Sequence, residues 1–281
     1  MLADIAGHLR CPVCRGPVRL GEGALRCERG HSFDVARQGY VSLLAGSRPP
    51  GTADTPAMVA ARAAFLAAGH YAPLARALAG AVAGLLRDAP PYPLVVDAGT
   101  GTGYYLGAVL DAAPQAIGMA FDISKHAVRR AARAHERAGA FVADVWRPLP
   151  VADAVADVIL NVFAPRNGPE FRRILRPGGA LMVVTPAPGH LSPLVEELGL
   201  LSVDPDKDRR LAAGLEGFTL ESRREVGFDL LLTREDALLV TGMGPSAWHA
   251  DMSQLKERLA QYPDQLKTRA NFYLSSFKAG S

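Results

Sequence analysis

From residue 94 onward the chain alternates short apolar runs with stretches of helical periodicity. Leu94–Asp97, Ala116–Asp122, Phe141–Asp144, Val155–Val162 and Ala180–Thr185 are four to eight residues long and mostly apolar. That is the signature of strands covered on both faces. Between them, Tyr104–Ala112, Lys125–Ala138 and Glu170–Leu175 read as helices. Strands alternating with helices predict a mostly parallel, doubly wound α/β sheet. Two strands late in the chain, Phe218–Thr233 and Asn271–Phe277, bring the expected total to seven. Helices are expected at Ser192–Leu200, Asp236–Val240 and Ser253–Ala260. Upstream, the Ala-rich segment Met58–Ala68 predicts a helix stopped by Gly69. A second helix, Pro73–Leu86, is closed by Pro90-Pro91-Tyr92-Pro93.

The first 45 residues lack this alternation and carry different chemistry. All three cysteines of the chain, Cys11, Cys14 and Cys27, lie there with His31. Cys-x2-Cys followed by Cys-x3-His can close a tetrahedral shell around Zn²⁺, and four protein donors leave no open position, which predicts a structural metal. A segment this small cannot be held by a core alone, so the metal would supply folding energy. Gly46–Thr55 reads as a linker. The expected organisation is a zinc-binding module at 1–45, a linker with two helices at 46–92, and a catalytic domain at 93–281.

Charge sharpens the contrast. Residues 1–50 hold seven Arg against four acidic residues, whereas the remainder has 24 of each sign. An excess made only of arginine on a metal-stapled module suits phosphate contact. Nearly half of the 281 residues are hydrophobic, enough for a packed core. No apolar run approaches the roughly twenty residues a membrane helix needs. Three cysteines and no secretory leader point to a reducing cytoplasm.

The strand ending at Asp97 runs into Gly99-Thr100-Gly101-Thr102-Gly103. Glycines there let the backbone turn sharply and admit a ligand closely. The dinucleotide fingerprint needs a small third residue but meets Tyr104 or Leu106, so it fails. An acid followed by Gly-x-Gly-x-Gly instead resembles the first signature of Rossmann-like methyltransferases that use S-adenosylmethionine. Asp122 closes the second strand, where an acid can accept ribose hydroxyls, and Asp144 closes the third, within reach of an adenine amino group. The fourth strand ends in Asn161-Val162-Phe163-Ala164-Pro165, where a methyl acceptor would sit. Asn161 could equally bond a base edge or serve structure, and Phe163 is expected to pack in the core, with stacking on a base as the alternative.

Longer blocks carry a family resemblance. They are Cys11-Pro12-Val13-Cys14, the run from Cys27 to Asp34, Gly39–Leu44, Met58–Arg62, Phe65–Leu74, Asp97–Tyr105, Asp122–Lys125, Asn161–Pro165, Thr185–Leu191 and Met243–Trp248. Together they resemble the bacterial 23S ribosomal RNA (guanine-N1)-methyltransferases, the RlmA type, and lean toward the branch that includes tylosin-resistance enzymes. The resemblance implies a zinc-ribbon-like module that helps hold an RNA hairpin loop, and a class I methyltransferase domain that modifies one guanine in it. Cofactor contacts carry over to Tyr71, Gly101, Thr102 and His190. The guanine N1 proton must leave before methylation; His190 is the first candidate base and His249 the second, the alternative for His190 being that it serves only the cofactor. Trp248 is a candidate stacking platform for an extruded base, with Phe163 and Arg62 as further substrate contacts. A homodimer would help grip a folded RNA. Two other readings fit the cofactor loop: a methyltransferase for a small natural product, which needs no Arg-rich zinc module, and a non-catalytic, zinc-supported RNA- or protein-binding protein.

Overall fold

The structure is a computed structural model, in which residues 1–44, 46, 53–194, 214–244 and 252–280 are described. Trp248, His249 and the second half of the helix expected at Ser192–Leu200 fall outside that set.

The chain opens with a short helix, α1 (Leu2–Ile5), and a three-stranded antiparallel ribbon of β1 (Val18–Gly21), β2 (Ala24–Cys27) and β3 (Ser32–Asp34). β4 (Tyr40–Ser42) leaves the ribbon and joins the main sheet. Then come α2 (Pro56–Ala67), whose Thr55 hydroxyl caps the Met58 amide, and α3 (Ala72–Leu85). The alternating region follows as β5 (Leu94–Ala98), α4 (Tyr104–Ala112), β6 (Ile117–Asp122), α5 (Lys125–Ala131), β7 (Ala138–Val142), β8 (Ala156–Val162), α6 (Gly168–Ile174) and β9 (Leu175–Pro186). The last part holds β10 (Phe218–Thr233), α7 (Arg234–Gly242), α8 (Met252–Leu259) and β11 (Gln265–Ala279).

The main sheet runs β10-β11-β9-β8-β5-β6-β7-β4. β5 to β11 are the seven strands the hydrophobic pattern predicts. β11 lies antiparallel to both its neighbours, and β4 to β9 pair in parallel. The eighth strand, β4, comes from the N-terminal segment and pairs with β7 through Tyr40–Ser42. Chain order reverses between β5 and β8, and a ligand crevice forms outside the carboxyl ends of the strands at such a point.

Each face of the sheet buries its own core. α2, α3 and α4 cover one, packing Phe65, Leu74 and Leu106 over Val95 and Leu160. The other joins Phe121, Phe141 and Ile159 to Ile5, Leu9, Cys11 and Cys27. The metal-ligand segment therefore shares a hydrophobic core with the sheet.

One helix is shorter than its pattern predicts. The Lys125–Ala138 periodicity yields only Lys125–Ala131, and β7 begins at Ala138 rather than at Phe141. His135 Nδ1 accepts from the Arg137 amide at 3.0 Å. The Arg137 guanidinium turns inward, donating to the carbonyls of Ala113 (3.0 Å), Ala116 (2.7 Å) and Leu110. Satisfying the carbonyl end of α4 outweighs continuing α5.

Candidate active site and metal centre

In the N-terminal ribbon, Cys11, Cys14, Cys27 and His31 bring their donor atoms within 4.8 Å of one another. Cys14 Sγ is 3.7 Å from Cys27 Sγ. His31 Nδ1 is 3.3 Å from Cys27 Sγ and 3.6 Å from Cys11 Sγ. Tetrahedral zinc with bonds of about 2.3 Å to sulfur and 2.0–2.1 Å to nitrogen has edges of about 3.5–3.8 Å. The donors thus fit the ion by chemistry and by spacing. Burial pushes the Cys27 thiol up, but hydrogen bonds from His31 and the Arg29 amide outweigh it and bring it down to about 6. Each knuckle turns through a residue with positive φ, Arg15 (62°) after the first pair and Gly30 (84°) before His31.

At the crevice, the glycine loop follows β5 with Gly99, Gly101 and Gly103 all at positive φ. The fold uses the missing side chains. A Cβ on Gly99 would run into Ala164 Cβ, and one on Gly103 would lie 2.7 Å from Ala134 Cβ. Asp97 is buried behind the loop and accepts from Thr100 Oγ1 at 2.7 Å. Burial pushes its carboxyl up to about 7, against that hydrogen bond, and the nearby Asp122 adds to the rise. Asp122 accepts from the amides of Gly101 and Ser124, each at 2.9 Å, and burial raises it as well. A buried acid and a half-buried one behind a cradle open only to glycine fit a ligand that is cationic and carries a ribose, as S-adenosylmethionine does. The Tyr105 hydroxyl, buried in α4 just past the loop with no hydrogen-bond partner among the described residues, is a further group left for such a ligand. Asp144 accepts from the Trp146 amide at 3.0 Å, fixing its own turn at the carboxyl end of β7.

The structure gathers Tyr71, His190 and Phe163 around one aromatic cluster, with Phe65, Tyr105 and Phe272 between them. Tyr71 Oη lies 3.3 Å from His190 Nε2. His190 Nδ1 accepts from the Asn271 amide at 3.2 Å. That bond spends the Nδ1 lone pair and leaves the proton of the neutral ring on Nε2. Its surroundings therefore suit holding Tyr71 rather than taking a proton, which departs from the base role expected from sequence. Asn161 is fully buried, and its Nδ2 donates to the carbonyls of Pro165 (2.9 Å) and Ala98 (3.4 Å). It ties the acceptor turn to the glycine strand, and its Oδ1 is left buried without a hydrogen-bond partner among the described residues. Phe163 stays 43% exposed at a φ of 54°, so it is not a core residue.

Arg62 is placed differently from the expected phosphate contact. It pairs with Asp54, donates to the Met243 carbonyl at 2.7 Å and lies against Gly101. Ser124 Oγ donates to the Asp54 carbonyl at 2.8 Å, so the linker before α2 is fastened beside Asp122. Sequence reasoning missed Asp54, Tyr105, Asn271 and Phe272. Tyr105 sits two residues past Gly103 and Asp54 eight before Arg62; the others come from the reversed strand, whose register a sequence does not give.

A seven-strand order with one reversed strand, a glycine cradle and acids behind it defines a class I S-adenosylmethionine-dependent methyltransferase, here with a zinc ribbon attached. Comparison with known proteins agrees on both parts. Residues 9–46 match the family of RlmA N-terminal zinc ribbons, and residues 95–179 match a methyltransferase-domain family. A Streptomyces fradiae 23S rRNA (guanine(748)-N(1))-methyltransferase is 51% identical over 94% of each chain. A Micromonospora griseorubida protein provisionally described as a 23S rRNA (guanine-N(1)-)-methyltransferase is 53% identical over 99% of each chain. A Bacillus subtilis protein, YxjB, with the same provisional description is 32% identical over 88% of this chain and 90% of its own. The chain belongs to the 23S rRNA (guanine-N1)-methyltransferase family.

Proposed function

We propose that the enzyme transfers a methyl group from S-adenosylmethionine to N1 of a guanine in a hairpin loop of 23S ribosomal RNA. The observation that carries this reading is the joining of the two functional halves at one edge. Arg15, on the first zinc knuckle, donates to the Leu149 carbonyl at 2.7 Å, in the loop that follows β7 at the carboxyl end of the sheet. A Cys₃His module with an arginine excess is thus fastened to the loop that leaves the crevice edge after β7, an arrangement a small-molecule methyltransferase has no use for. The guanine position is proposed to be 748, the one in the name of the Streptomyces fradiae relative.

The bound cofactor supplies an electrophilic methyl on a sulfonium, and the protein contributes alignment. Gly99, Gly101, Thr102 and Gly103 form its cradle. Asp97 provides negative charge, Asp122 accepts the ribose hydroxyls, and Asp144 is the proposed adenine contact. Tyr71, held by His190, closes the aromatic side of the crevice. Phe163 offers a face for the extruded guanine, whose lost stacking must be replaced. Trp248 is a second proposed platform. Zinc holds the knuckles that present the arginines. A pair of subunits gripping one RNA is proposed, and light scattering of the free enzyme and its RNA complex checks it.

The direct test maps methylated nucleotides by mass spectrometry in 23S rRNA from cells with and without the gene. A gene-dependent 1-methylguanine at position 748 is expected, together with raised tolerance of tylosin-type macrolides. Unchanged RNA in cells that make folded, cofactor-binding protein would sink the proposal.

A further inference from the structure

Trp146 is a large aromatic side chain that neither the cofactor site nor the core accounts for. Only one of the chain's two tryptophans is described, and it is 64% exposed. Tryptophan is on average a highly buried residue, so an exposed one is a candidate contact surface. Its backbone is fixed: the Trp146 and Arg147 amides donate to the Asp144 side chain (3.0 Å) and carbonyl (3.1 Å).

The loop around it is anchored on two sides. Toward the zinc ribbon, Arg15 donates to the Leu149 carbonyl at 2.7 Å. Toward the methyl-acceptor turn, Asn167 Nδ2 donates to the Val145 carbonyl at 2.8 Å, and the Leu149 amide donates to Glu170 Oε2 at 2.6 Å. Trp146 therefore stands on the bridge between the metal knuckle and the turn that carries Phe163.

The charge around it has one sign free. The Arg147 side chain is 77% exposed, and its Nε lies 4.0 Å from Oδ2 of the largely covered Asp144, at the outer limit of an ion pair. Arg166, on the acceptor turn, is partly buried, and among the described residues no carboxylate pairs with it. Burial lowers its pKa, so an anion arriving there would relieve an uncompensated charge. An exposed aromatic side chain on a loop that also carries an exposed guanidinium, tied to a turn with an unpaired one, suits unpaired nucleotides: the ring takes a base and the cations take phosphates.

We propose that Trp146 is the stacking platform for an unpaired RNA base flanking the target guanine, with Arg147 and Arg166 on the adjoining phosphates. The inference rests on the rRNA reading above and adds the track by which the RNA passes from the zinc ribbon to the crevice.

The test uses full-length zinc-loaded protein and a 23S rRNA transcript that spans guanine 748. Trp146→Ala is expected to weaken transcript binding about tenfold or more, the scale of a lost base–aromatic stack, and Trp146→Phe to keep most of it. Arg166→Gln should lower the salt dependence of binding by about one counterion. Cofactor affinity, measured by calorimetry, should change less than about twofold in all three, about 0.4 kcal/mol. Wild-type transcript affinity in Trp146→Ala would overturn the platform while leaving the rRNA reading intact. Lost cofactor affinity in that variant would assign Trp146 to the cofactor pocket instead. Failure of wild-type protein to bind or methylate the transcript would overturn both.

Discussion

Asp97 shows how one residue couples folding, pH and cofactor. Its carboxyl is pushed up to about 7 because it is buried behind the glycine loop. An unfolded chain ionises it near its ordinary value of 3.8, so the folded state favours the neutral form more than the unfolded state does. Its contribution is fully present below that ordinary value and is lost as pH rises through about 7. The ligand-free melting temperature should therefore lose less on going from pH 5 to pH 8 in Asp97→Asn than in wild type, as read by scanning calorimetry. A cationic ligand favours the carboxylate, so S-adenosylmethionine should bind more tightly at pH 8 than at pH 6, a trend calorimetric titration should find abolished in Asp97→Asn. Gly99 makes a steric argument at the same site. With a φ of 78° and Ala164 where its Cβ would go, Gly99→Ala should cost about 1–3 kcal/mol and abolish cofactor binding. If Gly99→Ala melts and binds like wild type, the cradle does not approach its ligand as closely as described.

At the level of elements, Arg137 decides where α5 gives way to β7. Arg137→Ala strips hydrogen bonds from three carbonyls at the end of α4 and should destabilise the fold by about 1–3 kcal/mol, measured as a lower urea midpoint. Saturating cofactor affinity should be spared, because α4 is disturbed at the end opposite the glycine loop. This turn also marks what the sequence made legible. The strands of the alternating region were readable because both their faces are buried, so each stands out as an apolar run between amphipathic helices. The end of α5 was not, because Arg and Ala continue its periodicity while a long-range bond from Arg137 stops it. β4 was missed for a related reason: three residues make too little pattern, and Val41 is a strand residue only because β7 lies beside it. The glycine loop, Asp122 and the metal ligands were legible from spacing alone. The Tyr71–His190–Asn271 chain was not, since it depends on β11 running antiparallel to β9.

Over the whole molecule, the question is whether the zinc ribbon behaves as a separate attachment or as part of the catalytic body. Cys11 and Cys27 lie in the same core as Phe121 and Phe141, which stack at 5.5 Å inside the strands that end near Asp122 and Asp144. Leu9 bridges to Val151, and β4 closes the sheet edge. Removing the metal frees four donors and leaves thiols in a buried site whose folding depends on the ion. Loss should therefore spread along the ribbon to β4 and stop at β7, which keeps its pairing with β6. Chelation is expected to expose the amides of the first 44 residues to hydrogen exchange and to lower the melting temperature of the remainder by several degrees, the scale of about 1 kcal/mol for a domain of this size. Transcript affinity should fall at least tenfold, because Arg15 no longer anchors the Trp146 loop, while cofactor affinity stays within about threefold since the glycine loop and Asp97 lie on β5, two strands from β7. Chelated protein that still binds and methylates 23S rRNA at the wild-type rate would mean that the ribbon plays no part in presenting the RNA.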